Sequence, residues 1–191
     1  MNNFIIFGPP GSGKGTQSVK IAEKYNLVHI STGEIFRREI KNQTELGIKV
    51  RQIIENGELV PDELLVDILR SALKQAGKPA GFIFDGFPRT LRQAEDLDNL
   101  LGETGESVSL VIALDVDEEE VVNRLLKRAQ LEGRKDDTEE VIRNRMTVYH
   151  AQTHPLMEYY QTKGKLVSLR GVGSVDEIFS GICNLIDQSL A

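Results

Sequence analysis

The 191-residue chain is expected to be a single α/β domain, a five-stranded parallel sheet flanked by helices. Three observations predict this. Short β-rich runs alternate with longer helical patterns. Most of the runs are nearly continuous in apolar residues rather than alternating, as suits strands buried on both faces. The repeated strand-then-helix order requires right-handed crossovers, and so parallel strands. At 40% hydrophobic, the chain can bury one sizeable core and falls short of two.

The first strand is expected over 3–8 (NFIIFG), ahead of a glycine-rich loop and a helical pattern. LVHI (27–30) is the second. Residues 31–80 exceed one crossover helix and hold three short helical patterns, so this segment should form an excursion outside the sheet. GFIFD (81–85), SLVIALDV (109–116) and KLVSLR (165–170) complete the strands. Capping-box spacing opens several helices: Ser31 with Glu34, Thr90 with Gln93, Asp137 with Glu140, and Ser174 with Glu177. AQLEGRKDD (129–137) is expected to be irregular between two helical runs.

Composition narrows the function classes. No apolar stretch approaches membrane-spanning length. The start, Met1-Asn2-Asn3, carries no basic n-region, so no signal peptide is expected. Cys183 is the single cysteine, which excludes an internal disulfide and a cysteine zinc cage. His29, His150 and His154 lack metal-ligand partners at useful spacing and are read as structural or surface residues. A cytoplasmic protein is expected. A net charge of −6 argues against nucleic acid and anionic membranes as partners. An anionic ligand would need local clusters of positive charge.

Such a cluster begins at the glycine loop. Gly8, Gly13 and Lys14 match G-x-x-x-x-G-K between a strand and a helix. Glycines there let backbone N–H groups converge on phosphate oxygens at a helix N-terminus, and Lys14 would reach the β and γ oxygens of a nucleoside triphosphate. Gly15 follows the lysine, and the hydroxyl comes one later, as Thr16. Asp85 ends a strand, where a carboxylate can orient Mg²⁺ or its water, or can cap a turn. Arg89 stands at the edge of the sheet where ligands bind. Arg124, Arg128, Arg134, Arg143 and Arg145 lie close together in an otherwise acidic chain, and a phosphate cluster would explain them.

Five motifs occur in order: GPPGSGKGT (8–16), STGE-x-x-R (31–37), LVPDE (59–63), DGFPRT-x-x-QA (85–94) and GR-x-DD (133–137). Together they resemble adenylate kinase, the nucleoside monophosphate kinase family that interconverts ATP plus AMP with two ADP. The resemblance covers about residues 3–188. It implies a P-loop nucleotide-kinase fold of one domain (1–191), with a helical AMP-binding insertion over 31–60 and a short lid over 127–137. It implies that Gly11, Ser12, Gly13, Lys14, Gly15 and Thr16 hold ATP, with Arg124 near its base, Arg128 in contact and Gly173 offering a backbone contact to the base. On the AMP side, Thr32 should touch adenine and Arg37 the phosphate. Glu58, Leu59 and Val60 should lie against the base, and Gly86, Phe87, Pro88 and Arg89 under the phosphate.

Gln93 corresponds to the residue that hydrogen-bonds the adenine edge; as a helix residue it also suits a cap, and both roles are compatible. Glu34 stands where the family more often has aspartate. Arg134 and Arg145 should reach the transferring phosphoryl group and the AMP phosphate, while Arg143 has no corresponding role and is read as a surface residue. Lys14, Asp85, Arg89, Arg128, Arg134 and Arg145 form the implied catalytic set. Mg²⁺ would arrive with ATP, through water near Asp85. About eleven lid residues imply the short form, with no zinc.

The acceptor oxygen of AMP is already ionised at neutral pH, so no catalytic base is needed. A monomer is expected, with ATP, AMP and ADP as its partners. Two readings compete. A uridylate–cytidylate kinase shares the fold, but Thr32 and TLRQA (90–94) favour adenine. A non-catalytic nucleotide-binding protein would be marked by loss of Lys14 or of several arginines, and none is lost. A GTPase would carry N-K-x-D, which is absent.

Overall fold

The structure is a computed structural model that describes residues 1–134 and 137–190. Its elements run β1 (Asn2–Phe7), α1 (Lys14–Tyr25), β2 (Val28–Ser31), α2 (Thr32–Lys41), α3 (Glu45–Glu55), α4 (Asp62–Ala76), β3 (Gly81–Asp85), α5 (Leu91–Gly102), β4 (Leu110–Asp115), α6 (Glu118–Glu132), α7 (Glu139–Val148), a π-helical turn (Tyr149–Thr153), α8 (Leu156–Thr162), β5 (Leu166–Arg170) and α9 (Val175–Leu190). The five strands are all parallel, in the order β2-β3-β1-β4-β5.

Alternation along the central strands sorts their side chains onto two faces. Ile5 and Phe7 of β1 join Phe82, Phe84, Val111 and Ala113 beneath α4, α5 and α8. Phe4 and Ile6 join Ile83, Ile112 and Leu114 beneath α1 and α9. Both faces are covered, which is why β1, β3 and β4 read as continuous apolar runs. β5, at one edge, is only half-buried. A separate small cluster of Val116, Val121, Leu125, Ile142 and Met146 ties α6 to α7.

The expected excursion consists of α2, α3 and α4. Of these, α4 is a full 15 residues rather than a short helix. Two local expectations are corrected. The stretch 129–137 was expected to be irregular, yet α6 stays helical through Glu132. Asp137 does not cap α7. Thr138 does, its hydroxyl accepting from the Val141 N–H, and this frees Asp137 for the interior. The other three capping positions hold: Ser31, Thr90 and Ser174 accept from the N–H of Glu34, Gln93 and Glu177. Lys135 and Asp136 of the expected lid lie outside the described residues. No helix among the described residues is long and apolar enough to cross a membrane.

Candidate active site

Strand register assembles the site. Ser31 of β2 and Ile6 of β1 both pair with Asp85 of β3. The residues that follow these three strands therefore emerge together at the carboxyl edge of the sheet, on either side of the topological switch. They are the glycine loop, the STGE segment and the DGFPR segment. Above them lies a cleft of ≈ 710 Å³.

In the glycine loop, Gly8 has φ +147°, and a Cβ there would stand 2.7 Å from the Leu114 carbonyl oxygen and from Ser12 Oγ. Only glycine lets the loop pass so close to β4. Lys14 opens α1. Its ammonium donates to the carbonyls of Gly8 (2.7 Å) and Pro9 (2.8 Å). Burial lowers its pKa to about 8, against the opposing pull of Asp85 and with further lowering by Arg89 and Arg128. Asp85 is nearly buried. Burial works against its charge, but the His29 imidazole, 3.9 Å away, with Lys14 and Arg89, outweighs this and holds the carboxyl below its ordinary range.

Arg89 is gripped from three sides. Its Nε donates to the Gly86 carbonyl (2.9 Å), its N–H to Gln93 Oε1 (2.7 Å), and its carbonyl accepts from the Thr153 hydroxyl (3.0 Å). Burial lowers its pKa, Asp85 raises it, and the nearby Arg145 and Arg37 lower it again, so these cations share one small region. The Gly86 carbonyl also accepts from Thr32 Oγ1 (3.0 Å), joining the STGE segment to the loop beneath it. Gly86 itself needs its φ of +80°, and a Cβ would stand 2.8 Å from Thr32 Oγ1.

The remaining arginines come from α6 and α7. Asp137, fully buried, accepts from Arg128 Nε (2.7 Å) and Nη2 (2.8 Å), and from Arg145 Nη1 (2.8 Å). This bidentate fork plus a third bond orders two arginines around one carboxylate. Arg145 also abuts the 56–57 turn, its Cγ 3.0 Å from where a Gly57 Cβ would stand, and Asn144 Nδ2 donates to the Asn56 carbonyl (2.6 Å). Arg124 pairs with Glu120 (2.7 Å) and Arg134 with Glu132 (2.6 Å). Arg143 is exposed and pairs with Glu139, away from the cleft.

The cleft gathers most residues singled out in the sequence. Gly11, Gly13, Lys14, Gly15 and Thr16 line it beside Arg124, Arg128 and Arg134; Thr32, Arg37, Glu58, Leu59 and Val60 line it with Asp85, Gly86, Pro88, Arg89, Gln93 and Arg145. Three expected contacts sit back from it. Ser12 is buried under the loop, with its Oγ 3.4 Å from Lys14 Nζ. Phe87 is buried in the core. Gly173 lies just ahead of α9, where a Cβ would stand 3.1 Å from Glu177 Oε2.

Sequence reasoning missed Phe36, Ile54 and Leu65, which add apolar surface to the cleft, and Lys127, which adds a cation. It also missed the carboxylate of Asp137 among the arginines. The carboxylate that closes the GR-x-DD motif, three residues after Arg134, was the available signal. Gln93 is not a reciprocal cap, since its side chain reaches Arg89 rather than the Thr90 N–H. Among the described residues, no group of three or more His, Cys, Asp or Glu could hold a metal ion.

A glycine loop of phosphate-binding pattern and a cluster of arginines around one cleft, at the carboxyl edge of a parallel sheet, mark a P-loop phosphotransferase acting on nucleotides. Comparison with known proteins narrows the class. The family model described as adenylate kinase matches residues 6–165. The chain is 52% identical over 187 residues to the adenylate kinase of Bacteroides fragilis, spanning 98% of this chain and 99% of that one. It is 53% identical over 188 residues to the adenylate kinase of Azobacteroides pseudotrichonymphae, with 98% of each covered. With the adenylate kinase of Micrococcus luteus the figure is 46% over 178 residues, 93% of this chain and 87% of that one. The chain belongs to the adenylate kinase family, and it is a phosphotransferase.

Proposed function

We propose that the chain catalyses reversible, Mg²⁺-dependent phosphoryl transfer from ATP to AMP, giving two ADP. The observation that carries this is the convergence of Lys14, Arg89, Arg128 and Arg145 on one cleft that the glycine loop, the STGE segment and the DGFPR segment also line. The loop over 11–16 holds the donor phosphates through backbone N–H groups, and Lys14 turns from its loop carbonyls to their oxygens. Arg124 serves the donor base. Arg37 and Arg89 hold the acceptor phosphate, and Arg128, Arg134 and Arg145 face the group in flight. The apolar patch of Leu59, Val60 and Ile54, with Thr32 and Gln93, takes the acceptor base.

No proton has to move, because the attacking oxygen is already an anion. Catalysis is therefore positioning and charge stabilisation. Asp85, kept ionised beside Lys14 and close to Gly15, suits a hydrated divalent cation, and Mg²⁺ bound there would neutralise charge on the donor phosphates. The segments over 31–60 and 127–137 act as the acceptor-binding insertion and the lid, and their approach excludes water from the transfer. One chain supplies both ends of the cleft, which suits a monomer, and composition suits the cytoplasm.

The test is a coupled assay of purified protein with ATP against AMP, CMP, UMP and GMP. We expect a strong AMP preference and no turnover in excess chelator. Equal kcat/KM for AMP and CMP would overturn the reading.

A further inference from the structure

The fully buried Gln93 lines the acceptor end of the cleft. A glutamine amide is nearly symmetric in shape but not in chemistry. One end donates two hydrogen bonds and the other accepts two. Half a turn about its terminal bond exchanges the ends without changing the space they fill. That turn also exchanges the base edge the amide can read. Adenine presents a donor (the 6-amino group) beside an acceptor (N1). Hypoxanthine has the same outline but presents an acceptor (the 6-oxo group) beside a donor (N1–H).

The direction of this amide is set from both ends. Gln93 Oε1 accepts from the backbone N–H of Arg89 at 2.7 Å, and a backbone N–H can only donate. Gln93 Nε2 donates to Asp62 Oδ1 at 2.6 Å, and a carboxylate can only accept. One Nε2 hydrogen and one Oε1 lone pair are left to meet a base, and the two bonds keep them from changing places. Inverting the amide would set NH₂ against N–H at one end and C=O against carboxylate at the other. Both contacts would turn from attractive to repulsive.

We propose that Asp62 is a specificity-determining positioning residue: through its bond to Gln93 it locks the amide in the direction that reads a 6-amino purine monophosphate and rejects a 6-oxo one. The proposal rests on Gln93 being the reader of the acceptor base. Asp62 sits at the start of α4, so a competing account gives it only a favourable charge in the first helical turn. That account concerns stability and is blind to the base.

The two accounts separate in Asp62→Asn and Asp62→Ala. An asparagine at this position keeps the size but can turn its own amide to offer either group, so the Arg89 N–H alone is left to oppose inversion. The experiment measures kcat and KM for AMP and for IMP at saturating ATP, with melting curves, in the parent protein, both Asp62 variants and Gln93→Ala. In the parent, kcat/KM should favour AMP over IMP by at least about 10²-fold. In Asp62→Asn this ratio should fall by about 10-fold or more, equivalent to about 1.4 kcal/mol of discrimination. The change should appear as a higher KM for AMP and a lower KM for IMP, with Asp62→Ala moving the same way. A lower KM for IMP is a gain that lost helix stability cannot produce. If Gln93→Ala collapses the ratio while neither Asp62 variant changes it, the lock is wrong and the base reader stands. If Gln93→Ala leaves the ratio unchanged, the base-reader assignment itself fails. Equal losses for AMP and IMP in both Asp62 variants would leave Asp62 a purely structural residue and overturn the proposal.

Discussion

Lys14 lies inside its own loop, its ammonium donating to the Gly8 and Pro9 carbonyls, which in the proposed function phosphate oxygens replace. Two outcomes are expected at this scale. Lys14→Ala should lower kcat by at least about 10²-fold, roughly 3 kcal/mol of transition-state stabilisation, in a protein that still folds. Near-normal turnover would remove the loop from the mechanism. The second concerns pH. Burial holds the free Lys14 at a pKa of about 8, whereas bound polyphosphate favours its charged form and must raise that pKa. ATP affinity should therefore be flat with respect to Lys14 below about pH 8. Above it, affinity should fall by up to roughly one log unit per pH unit until the bound-state pKa is passed. Calorimetry at pH 8.5 in buffers of different ionisation heat should detect proton uptake on binding. Proton release, or affinity that rises with pH, would contradict the assignment.

At the scale of elements, α6 and α7 matter because each brings an arginine to one carboxylate. The small apolar cluster of Val121, Leu125, Ile142 and Met146 packs the two helices together, and Asp137 sits between Arg128 and Arg145. Asp137→Ala would remove the carboxylate that Arg128 and Arg145 share and leave the two like charges side by side. Because Arg128 and Arg145 are partly solvated, the loss of stability should be moderate, about 1–3 kcal/mol. Turnover should fall as well, by about 10–10²-fold, through misplacement of both arginines. In the proposed binding mode a polyphosphate nucleotide supplies oxygens to the same two arginines, so the difference in melting temperature from the parent should shrink when ligand is bound. Denaturant titrations with and without ligand would check this, and an equal difference in both states would count against it. The sequence suggested a helix cap at Asp137 because its spacing to Glu140 fits. Thr138, one residue later, is an equally good N-cap residue type although Val141 three residues on cannot reciprocate, and the burial of Asp137 decides between them.

For the whole molecule, the claim is that donor and acceptor sites face each other across one arginine cluster. Two adenosines joined through five phosphates should then occupy both ends at once, one ligand per chain, and bind about 10²–10⁴-fold more tightly than ATP. Calorimetry giving two ligands per chain, or affinity no better than that of ATP, would mean the ends are not opposed. Much of this architecture was legible in the residue order. The buried strands declare themselves because a sheet covered on both faces leaves no room for polar alternation, and β1, β3 and β4 carry none. The phosphate loop declares itself because its chemistry is local: glycine conformations, contiguous N–H groups and one lysine, all within nine residues. What the order of residues could not disclose are the side-chain bonds between separate elements. Gln93 to Asp62, Arg89 to Thr153, and Arg128 and Arg145 to Asp137 are each set by how separate helices pack. A hydrogen bond has direction and a reach of about 3 Å. Residue spacing fixes neither across a fold, so the tertiary structure alone decides which way a buried amide points and which carboxylate an arginine meets.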